Sequence, residues 1–221
     1  MNALLVTITD LGDVAVVTAV ALVTAAQLAR WGNRSAAWTL LFALASAAVG
    51  IGFLKLIFIG CGAELFNLRI SSPSGHAALS SAVFGVIGAI FARSLQSWLR
   101  LVPALLAVLL VGAITTTRVV LGMHSIDEVL VGLVVGGAVL LAALGLLRME
   151  IPTARPLRLR RLSMLVAFTL VLTDGINAPA EQLIRSSAAI IHRSTPLCAA
   201  TEAGFPPTLA SILPSREQIH D

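Results

Sequence analysis

The chain reads as an all-α, polytopic membrane helix bundle, and three observations predict it. Of its 221 residues, 57% are hydrophobic, mean hydropathy is +0.95, and only 12% are charged. A soluble domain carries about 25% charged residues. Apolar windows of membrane-spanning length recur along the chain, each needing about 20 residues to cross a bilayer, and arginines gather in alternate loops between them.

Taken in order, the windows are Leu11–Ala29, Ala36–Gly60 with Lys55 near its end, His76–Ala92, Leu101–Thr117, Ile126–Leu147 and the shorter Leu162–Ile176. The last is extended if Arg160 and Arg161 reach back to the interface with their long stems. Six spans follow if it inserts. The residues before the first apolar stretch include Asp10, and Asp13 stands within it, where a secretory signal wants basic residues ahead of it, so no cleaved leader is expected.

Arg30 and Arg34 lie between the first two windows, Arg93 and Arg100 between the third and fourth, and Arg148, Arg155, Arg158, Arg160 and Arg161 between the fifth and sixth. That face holds nine of the fifteen basic residues and one acid, Glu150. The positive-inside rule makes it cytoplasmic. Both termini then lie on the outer, periplasmic side of a multi-pass inner (plasma) membrane protein. The net charge of +4 is therefore topological, and no nucleic-acid partner is expected.

The expected organisation is a membrane domain over 1–176 and an outward tail over 177–221. Within the tail, 180–193 groups Leu183, Ile184, Ile190 and Ile191 as a short amphipathic helix. Pro196, Pro206, Pro207 and Pro214 break regular structure after it. His192 and His220 have no partner pattern there. Cys61 and Cys198 both fall on the outward side, either as a disulfide pinning the tail over the outer loop or as two thiols. No tyrosine, metal-ligand cluster or cofactor motif is present in the sequence.

Two polar stretches stand where the membrane makes polarity costly, and both fall at outward helix ends. The first runs Ser71-Ser72-Pro73-Ser74-Gly75-His76. Ser74 is placed to cap a helix, whose first turn then offers free N–H groups and a positive dipole end to an anion. Gly75 permits close backbone approach, and His76 handles protons near neutrality. The second stretch holds Arg118, His124, Asp127 and Glu128. Arg118 offers a planar fork to phosphate oxygens. Glu128 follows His124 by four residues, on one helical face, and can orient the imidazole for attack.

These residues resemble the type 2 phosphatidic acid phosphatase superfamily. Pro73-Ser74-Gly75-His76 matches its second motif. Thr117-Arg118, five residues, His124, three residues and Glu128 match its third with two conservative changes, Thr for Ser and Glu for Asp. Lys55 fits the start of its first motif, but Gly62 and Ala63 stand where that motif has Arg-Pro. Arg69, four residues before Pro73, is the substitute the loop offers; otherwise it is a solvated charge. Lys55 is either a phosphate ligand or a snorkelling cation.

The resemblance implies a six-helix membrane enzyme without metal or cofactor, hydrolysing a lipid phosphate or lipid pyrophosphate. Undecaprenyl pyrophosphate, phosphatidic acid, phosphatidylglycerol phosphate and lipid A phosphates are the substrate types. His124 would form a phosphohistidine, His76 would protonate the leaving oxygen and Glu128 would orient His124. Lys55, Arg69, Ser74, Gly75 and Arg118 would hold the phosphate, and Asp127 is an outer group. A phosphotransferase would use the same residues. A non-catalytic lipid-binding or transport protein is the alternative of another class.

Overall fold

The computed structural model describes residues 3–61, 72–95, 97–147 and 156–172. Arg69, Cys198, the loop around Gly62 and Ala63, and the expected amphipathic tail helix lie outside them. The described residues are helical and contain no strand. The helices are α1 Ala3–Asp10, α2 Val14–Arg30, α3 Arg34–Cys61, α4 Gly75–Ser94, α5 Leu101–Val120, α6 Ile126–Leu147 and α7 Pro156–Leu172. A 3-10 turn, Ser97–Arg100, leads into α5.

Four of these, α3 to α6, are long and apolar enough to cross a membrane. The first expected span is a broken one. Helices α1 and α2 meet at 49° around Leu11–Asp13, and count as a fifth crossing only if taken together. The reason is local: the Gly12 N–H closes a turn on the Thr9 carbonyl, and Asp13 then caps α2, its Oδ1 accepting from the Ala15 N–H at 2.8 Å. A capping acid starts a new helix. The sixth expected span corresponds to α7, which has 17 residues and carries Arg158, Arg160 and Arg161 in its first half. It packs against α2.

Helix α4 is the axle, packed against α3, α5 and α6. Its sequence explains the position: Gly75, Ala77, Ala78, Ser80, Ser81, Ala82, Gly85 and Gly88 leave little bulk, so neighbouring backbones come close. A Cβ at Gly88 would stand 2.8 Å from that of Ala107 on α5. Helix α6 matches with Gly132 and Gly136, one turn apart. A Cβ at Gly132 would strike the Ser74 carbonyl, and one at Gly136 the Ser81 hydroxyl and the Ala78 carbonyl. The hydroxyls of Ser80 and Ser81 are satisfied within α4, donating to the carbonyls of His76 and Ala77 at 2.5 and 2.7 Å. At the far end, Arg93 Nη2 donates to the Leu144 carbonyl in the last turn of α6. The apolar core fills the space between α2, α3 and α4 with Val17, Val20, Leu40, Val83 and Val86. Leucines and valines along α5, among them Leu101, Leu105, Leu106, Val108 and Leu109, are exposed, as in a helix that faces lipid.

Candidate active site

The start of α4, the end of α5, the start of α6, Lys55 on α3 and the elbow between α1 and α2 converge at one end of the bundle. Each functional side chain is positioned there by a short-range rule and then joined to the others by packing.

Ser74 caps α4 as its sequence position predicts. Its backbone is extended, and its Oγ accepts from the Ala77 N–H at 3.4 Å. It is fully buried, so capping is the contact the fold gives its hydroxyl. Its own N–H donates to the Glu128 carbonyl at 3.0 Å, tying the first turn of α4 to α6. Gly75 is buried too, and a Cβ there would lie 3.8 Å from Lys55 Cε. Lys55 is thus beside the open helix start, only 5% exposed.

Arg118 and His124 are linked by the way α5 ends. Gly122 has φ +67, a left-handed conformation that glycine adopts at little cost. Around it the Met123 N–H donates to the Arg118 carbonyl at 3.0 Å and the Gly122 N–H to the Val119 carbonyl at 2.9 Å. This pair is a Schellman ending. The His124 N–H reaches the same Arg118 carbonyl at 3.3 Å. The chain therefore doubles back over the end of α5, and the five-residue spacing brings the imidazole to the guanidinium.

His124 does not begin α6 as the sequence suggested. It sits in the turn two residues before it, and Ser125 is the cap. Ser125 Oγ accepts from the Glu128 N–H at 3.2 Å, and Glu128 Oε2 accepts from the Ser125 N–H at 3.2 Å. This reciprocal capping box holds the carboxylate over the helix start. The same Oε2 accepts from His124 Nδ1 at 2.9 Å. The second oxygen, Oε1, accepts from the Ser72 N–H at 2.9 Å. Glu128 is 5% exposed and fully used. An ionised carboxylate only accepts, so Nδ1 carries the proton and Nε2 keeps its lone pair. Burial lowers the His124 pKa below its ordinary 6.5; the hydrogen bond to Glu128 opposes this, and the positive charge of Arg118 reinforces it. The neutral, nucleophilic ring is the form favoured at neutral pH. Asp127, next to Glu128, is exposed.

His76 stands in the first turn of α4, within electrostatic range of Arg118, His124 and Lys55. Two neighbours from the elbow were not foreseen. Asp13 Oδ2 lies 4.0 Å from His76 Nε2, and a Cβ on Gly12 would lie 3.2 Å from His76 Cδ2 and 2.6 Å from Ile114 Cγ2. Gly12 lets the elbow press against the imidazole. Ser72, Ser125, Gly122, Gly132 and Gly136 were also unassigned from sequence. The Ser125-x-x-Glu128 box, and the four-residue spacing of Gly132 and Gly136, are the signals that could have found three of these five partners.

Helices of membrane-spanning length are compatible with a membrane protein, and a histidine–carboxylate pair stands at one end of the bundle with the buried Lys55 and the half-buried Arg118. Residues 36–152 match the model of the PAP2 superfamily, and the chain belongs to that superfamily. Its members are phosphatases, which supports a hydrolase of phosphate esters. An uncharacterized 22.5 kDa protein in the cps region of Klebsiella pneumoniae is 32% identical over 101 residues, 46% of this chain and 47% of that protein. The chain thus aligns with about half the length of that relative. No solved structure matches the chain.

Proposed function

We propose that the protein is a membrane phosphatase that hydrolyses a lipid phosphate or lipid pyrophosphate through a phosphohistidine on His124. The observation that carries this reading is the His124 Nδ1 to Glu128 contact of 2.9 Å, with Arg118, Lys55 and His76 within electrostatic range of the imidazole.

The chemistry runs in two balanced steps. His124 Nε2 attacks phosphorus, the bond from phosphorus to the lipid oxygen breaks, and protonated His76 gives its proton to that oxygen. Water then attacks phosphorus, His76 takes a proton from the water, the bond from phosphorus to His124 Nε2 breaks, and inorganic phosphate leaves. Lys55, Arg118 and the N–H groups at the start of α4 stabilise the charge on the phosphoryl oxygens, the largest usual source of acceleration. Arg69 serves as a further phosphate ligand in place of the arginine missing from the first motif.

A lipid substrate is supported by the site's position at the end of apolar helices, where a headgroup meets polar groups while its tail stays between spans. An outward, periplasmic site is supported by the nine arginines assigned to the opposite loops.

The test is phosphate release in detergent from phosphatidic acid, phosphatidylglycerol phosphate, a lipid A phosphate and undecaprenyl pyrophosphate, comparing the intact chain with His124→Ala. Loss of release in the variant is expected, along with acid-labile, base-stable label on His124 after brief exposure to labelled substrate. Equal rates in both proteins remove the enzyme reading and leave the lipid-binding one. Label on a serine or carboxylate overturns the mechanism.

A further inference from the structure

The elbow between α1 and α2 brings a carboxylate to the proton-donating histidine, and the geometry points to Asp13 as the positioning residue that favours the charged form of His76 in its acid step. This inference rests on the phosphatase reading above.

Three observations carry it. Asp13 is 7% exposed, so its carboxylate is not a solvated loop charge. Its Oδ1 is engaged by the Ala15 N–H at 2.8 Å, which aims Oδ2 at His76, 4.0 Å from Nε2. Gly12 beside it is the residue whose missing side chain allows this approach, since a Cβ would meet His76 and Ile114. The broken helix thus has a purpose beyond packing. It delivers an anion from the N-terminal part of the chain to a site otherwise built from α3 to α6.

The electrostatics explain why an anion is needed there. The groups facing His76 are Lys55 from α3, Arg118 from α5, His124 from the turn before α6 and Asp13 from the elbow. Glu128 is engaged by His124. A donor imidazolium beside Lys55 and Arg118 is opposed by two like charges, yet the leaving oxygen needs its proton. A carboxylate at about 4 Å offsets that opposition in a buried setting where Coulomb interactions are screened less than in water. The distance is too long for a hydrogen bond, so Asp13 acts on the charge of His76 rather than taking its proton.

The experiment compares the full chain with Asp13→Asn and Asp13→Ser in detergent. Both variants keep a side chain that caps α2 while removing the charge. A short-chain phosphatidic acid, whose alkoxide leaves poorly, is set against p-nitrophenyl phosphate, whose phenolate leaves without help. The alkyl rate is expected to fall at least about tenfold more than the aryl rate, within the range that general acid catalysis supplies. The alkaline limb of kcat should move to lower pH in both variants. Equal losses on the two substrates with an unmoved limb assign Asp13 a structural role and overturn the inference, as does wild-type behaviour. Equal rates for the intact chain and His124→Ala on both substrates remove the phosphatase reading, and this inference with it.

Discussion

Glu128 holds His124 and Ser72 with different oxygens, Oε2 at 2.9 Å from the imidazole Nδ1 and Oε1 at 2.9 Å from the Ser72 N–H. One carboxylate therefore fixes the His124 tautomer and also fastens the segment ahead of Pro73 to α6. The longer side chain, where the family motif has aspartate, is what spans both partners from a buried helix start. Exchanging Glu128 for Gln removes the charge and the preference for a proton on Nδ1. A phosphatase rate reduced about 10²- to 10⁴-fold is expected, the size of effect seen when a histidine loses its orienting acid. Steady-state kinetics on a short-chain lipid phosphate checks it, and a loss under threefold would contradict the orienting role.

The His124 imidazole should titrate low. Burial places the His124 pKa below 6.5, so the ring stays neutral until pH falls beneath that value. The reactive form is present above the folded pKa and is lost as pH drops through it. Histidine-labelled protein followed by NMR, with His124→Gln to assign the signal, should show a midpoint under 6.5. In Glu128→Gln the midpoint should fall further, since Glu128 opposes the downward shift. A midpoint above 6.5 in the unchanged protein contradicts the electrostatic description.

Close approach of α4 and α6 predicts unequal tolerance at two adjacent glycines. A Cβ at Gly136 would collide with Ser81 and the Ala78 carbonyl, whereas one at Gly137 meets nothing within 4 Å. Gly136→Ala is expected to destabilise by about 1–3 kcal/mol, as overpacking does, and Gly137→Ala by less than about 0.5 kcal/mol. Thermal unfolding of both variants in detergent compares them directly. Equal melting temperatures would show that the two helices do not meet in this register.

The turn that returns His124 to Arg118 depends on Gly122 at φ +67. Gly122→Val should cost about 1–2 kcal/mol or more in a left-handed position and should lower kcat by moving the imidazole from the phosphate cradle. Gly122→Asn, which tolerates that conformation, should recover most of both losses. Matched activity and unfolding measurements decide; a valine variant as active as the parent rejects the positional argument.

Much of this site was legible in the chain because its parts are short-range. Ser74 as cap follows from helix geometry, and the closeness of His124 to Glu128 follows from their four-residue separation, although His124 lies in the turn before α6. The spans α3 to α6 follow from runs of apolar residues. Two readings needed correction for equally local reasons. Asp13 interrupts the first span because it caps α2, and His124 lies before α6 because Ser125 is the better cap.

What the sequence by itself determined is the helical class with its membrane-length spans, the motifs of the superfamily and the closeness of His124 to Glu128, since each rests on neighbours within one or two turns. Only the tertiary structure decided that Ser72 and Ser74 dock on Glu128, that Gly132 and Gly136 set the register of α6 against α4, and that Asp13 reaches His76. Those contacts join residues up to 63 positions apart, and no spacing rule encodes a meeting that depends on how closely two helices can pack.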